Sequence, residues 1–247
     1  MNVVRILFCF ALTCLSLCSL AADIKVMAST GVSSMFQQLI PAFERSSGHR
    51  VSISFDTSNI ILRKINAGET ADLVVLTAPL IDQLMQQGRL APGSRVDLAK
   101  SGIGVAIRAG TPRPDIGNVE DFKRLLLQAR SITYTATGAS GIYFANVTEK
   151  LGIGPEVKAK AITPAGGIVA ELVAKGEADV GIQMISELQG VPGTVYLGPL
   201  PAPIQLFTVF SAGIFSGSMQ ASPARALAEF LTSPAAIQVY EAAGMER

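Results

Sequence analysis

Two stretches of this chain carry the same chemistry in the same order. The first is Ala28-Ser29-Thr30-Gly31-Val32-Ser33-Ser34-Met35-Phe36, the second Thr135-Ala136-Thr137-Gly138-Ala139-Ser140-Gly141-Ile142-Tyr143. Each reads as a strand end, then Thr-Gly-x-Ser, then an apolar-aromatic pair that opens a helix. A helix begun this way leaves its first backbone N–H groups without intrahelical partners. Ser or Thr caps one of them. The rest, with the positive end of the helix dipole, form an anion site that Gly lets a ligand approach closely. Ser58-Asn59 and Gly166-Gly167 offer a second such turn in each half. The candidate anion-binding residues from these turns are Thr30, Gly31, Ser58, Asn59, Ser140, Gly141, Gly166 and Gly167. Any one turn is ordinary capping chemistry; four turns in matched pairs point to a ligand.

The turns belong to a duplication. An offset of 107 positions relates Gly31 to Gly138, Phe55–Ile61 to Ile162–Ile168, and Ala71-Asp72-Leu73-Val74 to Ala178-Asp179-Val180-Gly181. Residues 24–77 and 131–184 are two copies of one unit, which implies paired domains rather than a solenoid. Within each copy, strands alternate with helices, the pattern of a parallel α/β sheet. The first copy reads as strand 24–28, helix 33–46 with Pro41 inside, strand 51–55, helix 58–67 and strand 72–76. The second reads as strand 131–136, helix 140–151, strand 157–162, helix 167–175 and strand 179–184. A strand over 103–107 and a helix over 119–129 lie between the copies. Residues 185–204 read as loop, 205–214 as a returning strand, and 223–232 and 234–243 as terminal helices.

The expectation is two similar α/β lobes with mainly parallel sheets and a ligand crevice at the carboxyl ends of the strands. Lobe 1 is expected to be discontinuous, 23–103 with 209–247, and lobe 2 to span 104–208. Two crossings, near 101–106 and 205–213, suit a hinged closure.

Residues 1–22 read as a cleaved signal peptide: Arg5, an apolar run from Ile6 to Leu20, and small residues near 19–22. Cys9, Cys14 and Cys18, the chain's three cysteines, all fall there. The mature chain then has no disulfide or thiolate chemistry. Leu17 before Cys18 fits a lipoprotein site poorly, so a soluble exported protein is expected. About 225 residues remain, enough for one large or two small domains. With Arg5 removed the two signs of charge are equal, and no basic run appears, which argues against nucleic acid as a partner.

Catalytic constellations are missing. Gly138-Ala139-Ser140-Gly141-Ile142 fails the Gly-x-Ser-x-Gly pattern at its last position. The single histidine, His49, follows Gly48 in a turn and stands far in sequence from Ser58 and Ser140. One such residue makes no triad and no zinc site. No catalytic residue, cofactor or metal is expected, and Asp72 and Asp179 read as structural.

The chain resembles the periplasmic solute-binding proteins of ABC importers with the type II fold, in particular their molybdate-binding-like branch. The likeness rests on Ile24-Lys25-Val26-Met27-Ala28-Ser29, Ser54-Phe55-x-x-Ser58, Ala67-Gly68-Glu69-x-Ala71-Asp72-Leu73, Gly141-Ile142-Tyr143, Gly181-Ile182, Phe230-Leu231-Thr232-Ser233-Pro234 and Ala242-Ala243-Gly244. It covers essentially all of 23–247. It implies a monomeric periplasmic receptor that holds an oxyanion between its lobes and delivers it to a membrane permease. By position the contacts fall at Gly31, Ser58, Ser140, Gly166 and Met184. Ser58 matches the family serine. Gly31 stands where molybdate binders show Ser, and Met184 where they show Tyr. Two hydroxyl donors fewer imply a larger or differently shaped anion than molybdate, such as a di- or tricarboxylate or an organic phosphate. A molybdate or tungstate binder is the alternative, and an exported enzyme or sensory receptor on the same fold a further one.

Overall fold

The computed structural model describes residues 21–247. All but the last two residues of the leader expected over 1–22 lie outside them. The chain forms two five-stranded sheets, each flanked by helices. The first sheet runs β2 (Arg50–Asp56), β1 (Asp23–Ser29), β3 (Leu73–Thr77), β10 (Thr208–Ile214), β4 (Val96–Ser101). The second runs β7 (Ala161–Ile162), β6 (Ile132–Thr133), β8 (Val180–Met184), β5 (Ile103–Arg108), β9 (Thr194–Pro199). Duplicated strands take equivalent places: β1, β2, β3 in one sheet and β6, β7, β8 in the other. Both sheets are mixed. The duplicated strands pair in parallel, while β10 with β3 and β4, and β5 with β8 and β9, pair antiparallel.

Burial explains the strands. β3 and β8 are buried at every position, as expected of central strands covered on both faces. Helix α1 (Ser33–Ser47) packs Met35, Phe36, Leu39, Ile40 and Phe43 inward and ends at Gly48, whose φ of 73° is left-handed. Pro41 sits inside α1 without ending it, and only the hydrogen bond to the Gln37 carbonyl is lost. The C-terminal helices α9 (Ala221–Phe230) and α10 (Pro234–Ala242) return to the first sheet's side. Phe230 of α9 packs on Phe43 of α1 with ring centroids 5.5 Å apart. The chain crosses between sheets at Gly102 and again over 200–207, where Gln205 clamps both the N–H and the carbonyl of Ile103 with its side-chain amide.

Several elements differ from the sequence reading. Val157–Ile162, Val-Lys-Ala-Lys-Ala-Ile, alternates like a strand, yet helix α6 (Gly154–Ala159) takes its first half. Pro155 and Glu156 in its first turn favour that helix, and only Ala161–Ile162 joins the sheet. The strand expected over 131–136 pairs only at Ile132–Thr133. Helix α7 shrinks to Ala170–Ala174. The expected loop 185–204 contains helix α8 (Ile185–Leu188) and β9. The return strand starts at Thr208, because Gln205 spends its side chain on the crossing rather than in the ladder.

Candidate functional site

Strand ends converge where the two lobes meet. From the first come Ser29 at the end of β1 with Thr30 and Gly31 after it, Thr57 and Ser58 after β2, Thr77 at the end of β3, and Phe210 of β10. From the second come Thr135, Gly138, Ala139 and Ser140 after β6, Met184 at the end of β8, and Glu187 after it. Together they enclose a cavity of ≈ 20 Å³. That holds one water-sized group.

Local sequence sets each donor. Helix α5 (Ala139–Lys150) has Gly138 as N-cap with no side-chain cap, so its first N–H groups are unclaimed. Ser140 is 2% exposed in that turn. Gly141 packs against the Thr135 backbone so closely that a Cβ would overlap the Thr135 carbonyl, which fixes the turn. Helix α2 (Ser58–Asn66) is capped by Thr57, whose hydroxyl accepts from Ile60 N at 3.4 Å. Ser58 Oγ accepts from Thr77 N at 3.3 Å.

The lobes touch directly. Thr57 and Thr137 share a hydroxyl hydrogen bond of 2.8 Å, and Asn59 Nδ2 donates to the Thr137 carbonyl at 2.8 Å. Ser186 Oγ donates to the Gly31 carbonyl at 2.8 Å. This is a closed arrangement.

Of the residues expected at the site, Thr30, Gly31, Ser58, Ser140 and Met184 border the cavity. Asn59, Gly141, Gly166 and Gly167 do not. Asn59 is an inter-lobe clasp, and Gly141 a packing position. Gly166 lies near Asp56 and Thr57 of the other lobe, where an added Cβ would come 3.3 Å from Asp56 Oδ1. Gly167, with φ of 88°, presents its carbonyl to Gln183 Nε2. Phe210 explains the glycine at 31: a Cβ there would overlap the Phe210 ring.

Glu187, in the stretch read as loop, is missed by the sequence reading, as are Thr57, Thr77, Thr135 and Phe210. Glu187 is 7% exposed and borders the cavity. Gln183 Nε2 donates to its Oε1 at 3.0 Å and Met184 N to its Oε2 at 3.3 Å. Burial pushes its pKa up to about 7; the Thr30 hydroxyl and the Met184 N–H pull the other way. No Lys, Arg or His borders the cavity. The visible signal was Glu three residues after the strand end, at the third helical position, where it caps a helix.

Asp72 and Asp179 lie at the opposite strand ends. Asp72 accepts from Lys25 N and Ser218, and Asp179 from Arg130. His49 accepts from Ala22 N at 3.2 Å, remote from the cavity. Among the described residues no group of three or more His, Cys, Asp or Glu could hold a metal, and no helix is long and apolar enough to cross a membrane.

The family model for bacterial extracellular solute-binding proteins matches residues 24–246. A Pseudomonas sp protein named aconitate isomerase is 34% identical over 227 residues, 90% of this chain and 86% of its own length. The molybdate-binding protein ModA of Azotobacter vinelandii is 26% identical over 238 residues, 91% of this chain and 90% of its own. The solved Azotobacter vinelandii periplasmic molybdate-binding protein superposes with a TM-score of 0.78 at 22% identity, covering 91% of this chain and 99% of that one.

Proposed function

Since the chain belongs to the bacterial extracellular solute-binding proteins, we propose that it captures a small polycarboxylate between its lobes in the periplasm and delivers it to an ABC-type importer. The observation that carries the ligand class is Glu187, a lone carboxyl in a cavity without a cation. Any anion that is fully ionised at neutral pH, a polycarboxylate included, is repelled by an ionised Glu187, so capture needs the Glu187 carboxyl protonated. A bound carboxylate and a carboxyl group share one proton readily, as neighbouring carboxylates do in other sites. Gly31 and Met184 remove two hydroxyls that would suit a compact oxyanion. The 34% relative, by its name, acts on aconitate, a tricarboxylate, which favours the same class. The closed cavity is smaller than such an acid, so the lobes part to admit it.

The test is a thermal-shift and calorimetric panel of cis- and trans-aconitate, citrate and malonate against molybdate, tungstate and sulfate. A ligand at 100 times its Kd adds about 2.7 kcal/mol of stability. Tight molybdate or tungstate binding, with no carboxylate near it, overturns the reading.

A second reading is that the bound acid is turned over. The sequence reading expected no enzyme because no nucleophile–base pair is present. A single buried carboxyl poised near neutral pH nevertheless suits proton transfer to and from a bound acid. The relative named aconitate isomerase favours this reading. Proton NMR of cis- and trans-aconitate with the protein in D2O decides it: interconversion or deuterium entry supports an isomerase, and unchanged spectra support a receptor.

A further inference from the structure

We propose that Glu187 is the proton acceptor of the anion site: it takes up one proton when an anion is captured and then donates a hydrogen bond to it. This rests on the reading of the cavity as an anion site.

The geometry is specific. Each Glu187 oxygen accepts one hydrogen bond from its own lobe, from Gln183 Nε2 and Met184 N. A carboxylate has about four acceptor positions, so capacity is left over. Thr30 faces it from the other lobe. No cation borders the cavity to offset a second negative charge. An anion entering beside an ionised Glu187 therefore meets a like charge in a buried site, and protonation removes the conflict. Burial already places the carboxyl near neutrality before any ligand arrives.

Glu187 borders a second, open groove of ≈ 380 Å³ on the outer side of α8, together with Ser33, Gln37, Glu171 and Lys175. Glu187 therefore lines both the closed cavity and the open groove. The ionisable neighbours are few. The 3-10 turn Thr30–Val32 and β8 contain none. β5 has only Arg108 at its far end, and α1 only Glu44 and Arg45 in its last turns. Glu171 and Lys175, of opposite sign, share the outer groove.

The competing account is that Glu187 only caps α8 by accepting the Met184 N–H. A glutamine serves that purpose equally, since its amide oxygen accepts the same N–H, but it takes no proton. The experiment titrates wild type and Glu187→Gln with trans-aconitate between pH 7.5 and 9, in buffers of different ionisation heat. The wild type should take up close to one proton per anion, and its affinity should fall about tenfold per pH unit. Glu187→Gln should take up none, with affinity flat in pH. Binding to the wild type without proton uptake overturns the inference and leaves the anion site standing. Equal uptake in both proteins also overturns it. Failure of trans-aconitate and every other acid of the panel to bind sinks the site and the inference together. If Glu187→Gln fails to fold, the wild-type proton count still tests the inference, since binding without uptake overturns it.

Discussion

Phe210 of β10 occupies the space that any side chain at position 31 would need. The pair explains why the first turn of the site carries glycine, and it makes a prediction in two parts. Gly31→Ser alone must push the ring or the turn aside, an overpacking cost of about 1–3 kcal/mol. Its melting temperature and carboxylate affinity should both fall. Gly31→Ser combined with Phe210→Ala should regain the Gly31→Ser loss and improve molybdate binding relative to carboxylates. A double-mutant cycle by calorimetry that shows strict additivity would contradict the coupling.

The inter-lobe hydrogen bonds define a second prediction. Asn59 Nδ2 to the Thr137 carbonyl and Thr57 to Thr137 join the lobes only when they are closed. Each is worth roughly 0.5–1.5 kcal/mol net. Asn59→Ala should leave the fold's stability nearly unchanged, weaken ligand binding severalfold and speed dissociation. Small-angle scattering should find the unliganded variant more expanded than the wild type, and equal profiles would argue against a clasp.

How much of this could be read beforehand follows from particular residues. The duplication and the buried strands β3 and β8 were legible, because an offset repeat and continuous apolar runs are sequence-local. The Thr-Gly-x-Ser turns were legible for the same reason, and Thr30, Gly31, Ser58 and Ser140 meet at one cavity. Gly166 and Gly167 were placed there by analogy of turns, yet neither borders it: Gly166 lies against Asp56 and Thr57, and Gly167 turns its carbonyl to Gln183. The misread stretch 157–162 had strand-like alternation in a segment whose Pro155 decided otherwise. Glu187, Phe210 and Thr77 reach the cavity only through tertiary placement. A four-residue helix such as α8 has no periodicity to detect.

Stability should respond to pH through Glu187. Burial raises its pKa in the folded protein from an ordinary 4.5 to about 7, so between those values the folded state holds more protons than the unfolded chain. Stability from this group is thus full below about 4.5 and is lost as pH rises towards 7, by up to about 3 kcal/mol. Denaturant titrations of unliganded wild type and Glu187→Gln should converge at low pH and separate in favour of Glu187→Gln as pH rises to 7. A constant difference across that range would place the Glu187 titration elsewhere.

The two cavity serines should separate binding from folding. Ser58 Oγ accepts the Thr77 N–H, so Ser58→Ala leaves a buried backbone donor without its partner. That costs about 1–3 kcal/mol of stability, in addition to any lost ligand contact. Ser140 sits in the first turn of α5, 2% exposed, with its hydroxyl at the cavity and no backbone N–H relying on it in the way Thr77 relies on Ser58. Ser140→Ala should therefore fold as well as the wild type. A hydrogen bond to a charged ligand is worth about 1.5–3 kcal/mol, so its affinity should fall by about 10- to 150-fold. Melting curves and calorimetry on the two variants check the split. If Ser140→Ala binds the preferred acid as tightly as the wild type, the ligand does not reach the N-terminus of α5, and the second lobe grips it through Thr135, Met184 and Glu187 instead.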